Sequence, residues 1–419
     1  SSQIQIPVIK YQLKNGMTVL LNPDPQTTLA SYYLGVRTGS RHEREGITGI
    51  SHMFEHLMFK GTKKFPDIEG IYRENGVSGL NAETRLDFTA YYASFPEDKL
   101  DLVLNVESDR MVNLQLTQEE LDKERQVVQE ERRMRIDNSP YGQLFERAFE
   151  LVFQKHPYRW PVIGYAKDIA DYKLKDMTDW YQTYYSPNNA VLVLSGKFSE
   201  NPARKLIEKY FGPLPAKKIP EEQIIDEPEQ LHPRRAVLKK DVPIENILMV
   251  WRTPGYGTKE DLALRIVSYI FGAGESSRLY KALVRKSNLL QDISCWLWDL
   301  SKHNLFIISY TLPKQSQESQ VKQEIFKELK KIFSEGITPE EFKKVKNMQL
   351  NTIVHRLKRS SSRADHLALN EMYFGDYRKL YSHLDQMGKL SVDFIKDTAK
   401  KSLKEDKLSY LKLSPEEKK

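Results

Sequence analysis

Ile50–Thr62 reads ISHMFEHLMFKGT. The pattern suits a helix that ends at Gly61, with Ile50, Met53, Phe54, Leu57, Met58 and Phe59 spreading apolar surface around most of its circumference. Yet His52, Glu55 and His56 stand at i, i+3 and i+4, stacked on one face. Imidazoles four apart aim their ring nitrogens at one point, which is the spacing two zinc ligands need, and Glu55 reaches the same space. The order H-x-x-E-H reverses the zincin H-E-x-x-H. With His at about 2% and Glu at about 7%, chance supplies roughly 0.01 such matches in a chain of this length. The alternative is a buried polar cluster. An unpaired carboxylate amid so much apolar surface is costly, and a cation removes that cost.

A catalytic zinc site with one open position takes a third protein ligand. The stretch TQEELDKERQVVQEERRMRI, from Thr117, reads as a long helix that opens with a capping box, Thr117 and Glu120, and stops before Pro140. Glu124 and Glu131 lie two turns apart on the face that carries Val127 and Val128, which turns them inward. Spacing alone leaves the choice between Glu130 and Glu131 open.

Outward from these two helices, YQLKNGMTVLLN reads as a hairpin about Asn15-Gly16. LASYYLGVRTGS and LDFTAYYASF (Leu86 to Phe95) are strand-like, NAVLVLSGKF is a buried strand, and NPARKLIEKYFGPL is a helix. Pro213, Pro215, Pro220, Pro228 and Pro233 then mark a linker. Beyond it, ENILMVWRTPGYGTKEDLALRIVSYIFGAGESSRLYKALV echoes the first half. Aligning Arg252-Thr253 with Arg37-Thr38 puts Val267, Ile270 and Phe271 where His52, Glu55 and His56 stand. The expected architecture is α+β: two related halves, each a mostly antiparallel sheet covered by helices. Residues 1–212 form the metal-bearing half, 213–233 the linker, and 234–419 the related half without a metal site.

The composition agrees. A chain of 419 residues, 40% hydrophobic and 11% aromatic, exceeds one ordinary core. The net charge of +7 is interspersed, which favours solubility over nucleic-acid binding. A single cysteine, Cys295, excludes an internal disulfide and a Cys-rich zinc site. No apolar run approaches the roughly 18 residues that span a membrane.

GISHMFEHLMFKGT, LNAETRLDFTAYY and ERQVVQEE together resemble the inverzincin metallopeptidases, the group of pitrilysin, insulin-degrading enzyme and mitochondrial processing peptidase. The likeness is strongest to the short bacterial, processing-peptidase-like branch. It implies a zinc endopeptidase with one Zn2+ held by His52, His56 and Glu131, Glu55 as general base, and Glu124 supporting the ligands from behind. LNAETRLDFTAYY is similar to an edge strand to which a peptide adds as a further strand, with Asn81 and Ala82 as contacts. Phe54 and Arg285 complete the expected substrate-binding set.

One departure stands out. Self-sufficient members of the group carry an Arg and a Tyr in a pattern like VREKGLAYS. The matching stretch here is VRKSNLLQDIS, where Arg285 fits the Arg and the Tyr position falls on Gln291 or Asp292. The resemblance therefore implies a peptidase subunit whose zinc-free homologous partner supplies that pair. The competing expectations are a self-active homodimer and a non-catalytic structural or peptide-binding subunit. For location, it implies an extracytoplasmic (periplasmic) bacterial setting, with the cytoplasm as the alternative.

Overall fold

A computed structural model describes residues 4–417. Among the described residues, eleven strands form two sheets. β1 (Ile9–Gln12), β2 (Thr18–Pro23), β3 (Ala30–Val36), β4 (Ser78–Thr84), β5 (Thr89–Phe95) and β6 (Ala190–Gly196) assemble in the order β1-β2-β6-β3-β5-β4. Only β2 and β6 run parallel. β7 (Arg234–Lys240), β8 (Glu245–Pro254), β9 (Ile293–Trp298), β10 (His303–Leu312) and β11 (Leu408–Pro415) assemble as β7-β11-β8-β10-β9, with only β7 and β11 parallel. The two mostly antiparallel sheets with their helices are the expected α+β arrangement.

The first hairpin turns where expected. Gly16 has φ +91°, a conformation that glycine adopts without a Cβ clash. The Asn15 amide holds the turn by donating to the Phe211 and Leu214 carbonyls at 2.8 and 2.9 Å. β3 is buried throughout and so feeds two cores by alternation. Tyr32 and Leu34 pack with Val103 and Leu104 of α3 (Leu100–Val112) and with Ile207 of the helix Glu200–Phe211. Tyr33, with Val191 and Val193 of β6, meets Ala364, Leu367 and Ala368 of the helix Ser360–Phe374 on the other face.

That last helix comes from the second half of the sequence. The chain divides into two compact units that do not follow the boundaries 1–212 and 234–419. One unit holds the chain up to Arg132 with Trp160–Ile224 and Ile353–Tyr381. The other holds Arg133–Arg159, Ile225–Thr352 and the chain from Ser382 onward. Each half of the sequence thus lends a helix to the other's sheet, since the helix Pro140–Val152 packs on β7, β8 and β11. Neither loan leaves a sequence signature, because an apolar helical face fits any apolar sheet face.

Between Phe211 and Arg234 there is no helix or strand. The stretch is pinned nonetheless: the buried Glu227 carboxylate accepts the backbone N–H groups of Gln154, Lys155 and His156 at 2.5, 2.8 and 2.7 Å. In the second unit, Val267, Ile270 and Phe271 lie on the helix Lys259–Gly272, buried against Trp251, Phe306 and Ile325. The positions matching the polar trio are plain core here.

Candidate metal centre

The helix carrying the trio, α1 (Ile50–Leu57), is one turn shorter than its apolar pattern suggested, and Met58–Lys60 form a turn before Gly61. Its start is held tightly. The buried Glu43 carboxylate accepts the N–H groups of Gly49 at 2.9 Å and Ser51 at 2.8 Å, donors that a helix N-terminus otherwise leaves unpaired. Asp168 accepts from both the Thr48 N–H (3.1 Å) and its hydroxyl (2.6 Å). Gly49 has φ +84°, and a Cβ there would lie 2.3 Å from the Ile163 carbonyl oxygen, so only glycine lets the two loops touch. Burial holds the Glu43 carboxyl up at about 8, against the pull of its two N–H donors.

The third component is α4 (Gln118–Arg132), which continues as a π-helix over Arg133–Asp137. Leu121, Glu124, Val128 and Arg132 are its buried residues, and Thr117 Oγ1 accepts the Glu120 N–H at 3.2 Å. Val127 is 49% exposed, so of the two valines only Val128 marks the inward face. Packed against α1, this helix brings Glu131 to the histidines. His52 Nε2 and His56 Nε2 are 3.3 Å apart, and Glu131 Oε2 lies 3.5 Å from the first and 3.2 Å from the second.

That triangle tests the fit of a metal. Zinc bonds of about 2.0–2.1 Å in tetrahedral geometry place ligand atoms about 3.3 Å apart. The three edges bracket that value, and the set is two imidazoles and a carboxylate, a donor set zinc accepts. Among the described residues it is the one group of three His, Cys, Asp or Glu side chains close enough to share a cation.

The surroundings also fit. His56 Nδ1 stands 3.1 Å from Glu124 Oε2. A carboxylate can only accept, so Nδ1 donates and Nε2 keeps its lone pair for the shared point. Lys60 pairs with the same Glu124 at 2.5 Å and with Glu120 at 3.3 Å. In the metal-free protein, burial would lower the His56 pKa, but Glu124, Glu131 and Glu55 outweigh it and push the imidazole up to about 9. Glu124 is shifted the other way: burial raises it, and His56 with Lys60 brings it below the ordinary carboxylate range. Glu55 accepts a hydrogen bond from the Thr84 hydroxyl of β4.

β4 is the outer strand of its sheet, paired only with β5. Asn81 is exposed on it. Ala82 is buried beside Tyr91, so it can offer a peptide only its backbone. Glu55, His56, Glu124 and Asn81 share a cavity of about 420 Å3 with Phe59, Lys60, Asp67 and Glu69. Phe54 does not join them: it is fully buried against the Tyr181 and Tyr185 rings, with centroids at 5.0 and 4.7 Å, and is core beneath the centre. Its place on the far side of α1 from the histidines follows from the helical period. Arg285 belongs to the other compact unit, on the π-helical turn Lys281–Lys286, paired with Glu275 at 2.5 Å. The sequence reading passed over Lys60, Thr84 and Glu43. Only Lys60 left a trace, as a cation four residues beyond His56.

Comparison with known proteins shows the family. Residues 18–164 match the family described as Insulinase (Peptidase family M16), and residues 171–349 match the one described as Peptidase M16 inactive domain. The zinc protease PqqE of Helicobacter pylori is 33% identical over 92% of this chain and 90% of its own. The uncharacterized zinc protease YmxG of Bacillus subtilis is 24% identical over 95% and 96%. A crystal structure of a protease from Helicobacter pylori superposes with a TM-score of 0.91 at 31% identity, covering 98% of this chain and all of that one. The chain belongs to peptidase family M16, the insulinase and pitrilysin group. Its polar trio lies in the part matched by the first profile, and its apolar counterpart in the part whose profile carries the word inactive.

Proposed function

We propose that this chain is a zinc-dependent endopeptidase of peptides or unfolded segments, acting as the catalytic subunit beside a zinc-free homologous partner. The observation that carries the reading is the triangle of His52, His56 and Glu131, whose edges suit one tetrahedral cation and leave a corner open. When bound there, zinc supplies a Lewis acid and makes water a nucleophile near neutral pH. Glu55 stands on the same helix face to take the proton from the attacking water and deliver it to the leaving amine. Glu124 orients His56 through Nδ1, and β4 offers an open strand edge to extended peptide, whose backbone pairing asks little of its sequence.

The partner enters through what the chain lacks. Where the group's self-sufficient members carry Tyr, this sequence has Gln291 or Asp292, neither a phenolic donor. The deciding experiment measures zinc per chain and cleavage of a quenched peptide library by the wild type and by Glu55→Gln. The expected result is about one zinc in both proteins, with activity only in the wild type. A variant that keeps full activity, or a wild type that holds no zinc, overturns the reading. Bound zinc without cleavage, alone or with co-purified partner, favours the non-catalytic subunit.

A further inference from the structure

The edge strand β4 has two faces, and the proposed reaction occupies only one. Thr84 meets Glu55 on the side of α1. Glu83 points to the other side, where its carboxylate accepts from the Tyr33 hydroxyl at 2.6 Å and pairs with Arg85 at 3.0 Å. On that side a cavity of about 800 Å3 runs along the strand, lined by Gly79 near one end of β4 and by Glu83 near the other. Tyr33 and Tyr92 floor it, their rings stacked with centroids 5.5 Å apart. A second wall is the segment that ends the helix Pro339–Arg356 and leads into the helix Ser360–Phe374, and it brings Arg356, Lys358 and Arg359. All three are exposed, and among the described residues none of them has an ion-pair partner. Glu83 is already paired, so Asp365, drawn on by Arg356, is the one lining carboxylate left to set against three cations. The groove is therefore positive.

We infer that this groove, on the face of β4 turned away from the metal centre, holds acidic side chains, Asp or Glu, of an extended peptide bound along the strand. The inference rests on the proposed peptidase reading and names a substrate class for it. A strand added to β4 sends every second side chain to this face and the ones between toward α1. A carboxylate arriving here meets guanidinium groups that can each hold it through two N–H donors, and its alkyl stem lies on the Tyr92 ring. A lysine in the same place meets three unpaired cations. Because the groove follows the strand from Gly79 to Glu83, it has room for two such side chains, two residues apart in the peptide.

The test uses the zinc-loaded protein with any co-purifying partner and a peptide series in which each position on either side of the scissile bond is in turn Glu, Ala or Lys. At one position, or at two positions two residues apart, Glu should be favoured over Ala by about fivefold and over Lys by more, chiefly through KM, with the advantage shrinking as salt is raised. Arg356→Gln with Arg359→Gln should narrow the advantage to below about twofold. Arg356→Glu with Arg359→Glu should turn the preference toward Lys. All four substitutions fall on exposed side chains, and an unchanged urea midpoint confirms that each variant is folded; should either double variant fail that check, Arg359→Gln alone, which should lose part of the advantage, takes its place. A wild type indifferent to charge at every position, or an undiminished preference in the variants, overturns the groove's role while the peptidase reading stands. If no peptide is cut, fluorescence anisotropy of the same peptides on Glu55→Gln, with and without the arginine substitutions, decides the groove by the same comparison, separately from the failed reading.

Discussion

Glu130 and Glu131 are neighbours in the chain, and Glu131 has an oxygen beside both imidazoles. A helix turns about 100° per residue, so adjacent side chains cannot serve the same point. Glu131→Gln should therefore weaken zinc binding far more than Glu130→Gln, by at least tenfold in dissociation constant measured against a competing chelator. Equal losses would mean that the ligand lies elsewhere. Glu124→Ala should give an intermediate loss of about 10- to 100-fold, because it removes the acceptor that orients His56 and not a ligand. His52 and Glu55 could be picked from spacing because a helix face is a sequence property. The choice of Glu131 over Glu130 was not legible in spacing, because it depends on how α4 is rotated against α1, and half-exposed Val127 pointed that argument only partly the right way.

At the scale of elements, a buried charge pair stands out. Beneath α1 and β5 lies α3, whose Arg110 is fully buried with Glu107 at 3.4 Å and has its guanidinium 5.2 Å from the Phe59 ring and 4.9 Å from Tyr91. The Tyr32 and Tyr72 hydroxyls also donate to Glu107. Arg110→Ala leaves that carboxylate buried without its cation, so a loss of about 3–5 kcal/mol is expected in urea unfolding. A loss under 1 kcal/mol would show that Glu107 is satisfied by the tyrosines alone. Strands and helices with strong period are readable in the sequence: the Asn15-Gly16 hairpin, buried β6 and long α4 are where the pattern puts them. The short α1 was not, because Met58 and Phe59 remain apolar after the helix ends and hydrophobicity does not record the turn.

For the whole molecule, acid should act through histidines kept neutral. Burial, with Arg41, Arg252 and Arg356 nearby, lowers His42, His303 and His366 respectively to about 4, from an ordinary 6.5. Their folded pKa values lie below the unfolded ones, so unfolding takes up protons. The stability they lend is complete above about pH 6.5 and is lost as pH falls toward 4, by no more than about 1.4 kcal/mol per pH unit and group. His42→Asn should lose less stability than the wild type between pH 7 and pH 5 in urea midpoints; an identical drop in both would rule out His42 as a contributor. At the same scale, the chain alone should cleave peptides poorly, since one absent donor at the developing oxyanion costs on the order of 10²–10³ in rate. A partner carrying the Arg and Tyr should restore it, and replacing the partner's Tyr with Phe should undo that gain; full solo activity would point to a self-sufficient homodimer. The borrowed helix Ser360–Phe374 has a different consequence, one of timing. During synthesis, Tyr33, Val191 and Val193 emerge about 170 residues or more before the segment that covers them. For that interval, some tens of seconds at about 5–20 residues per second, the nascent sheet shows a bare apolar face, a natural client for chaperones. A chain stopped after residue 349 should stay in that state and aggregate, while one carried through Tyr381 can close it.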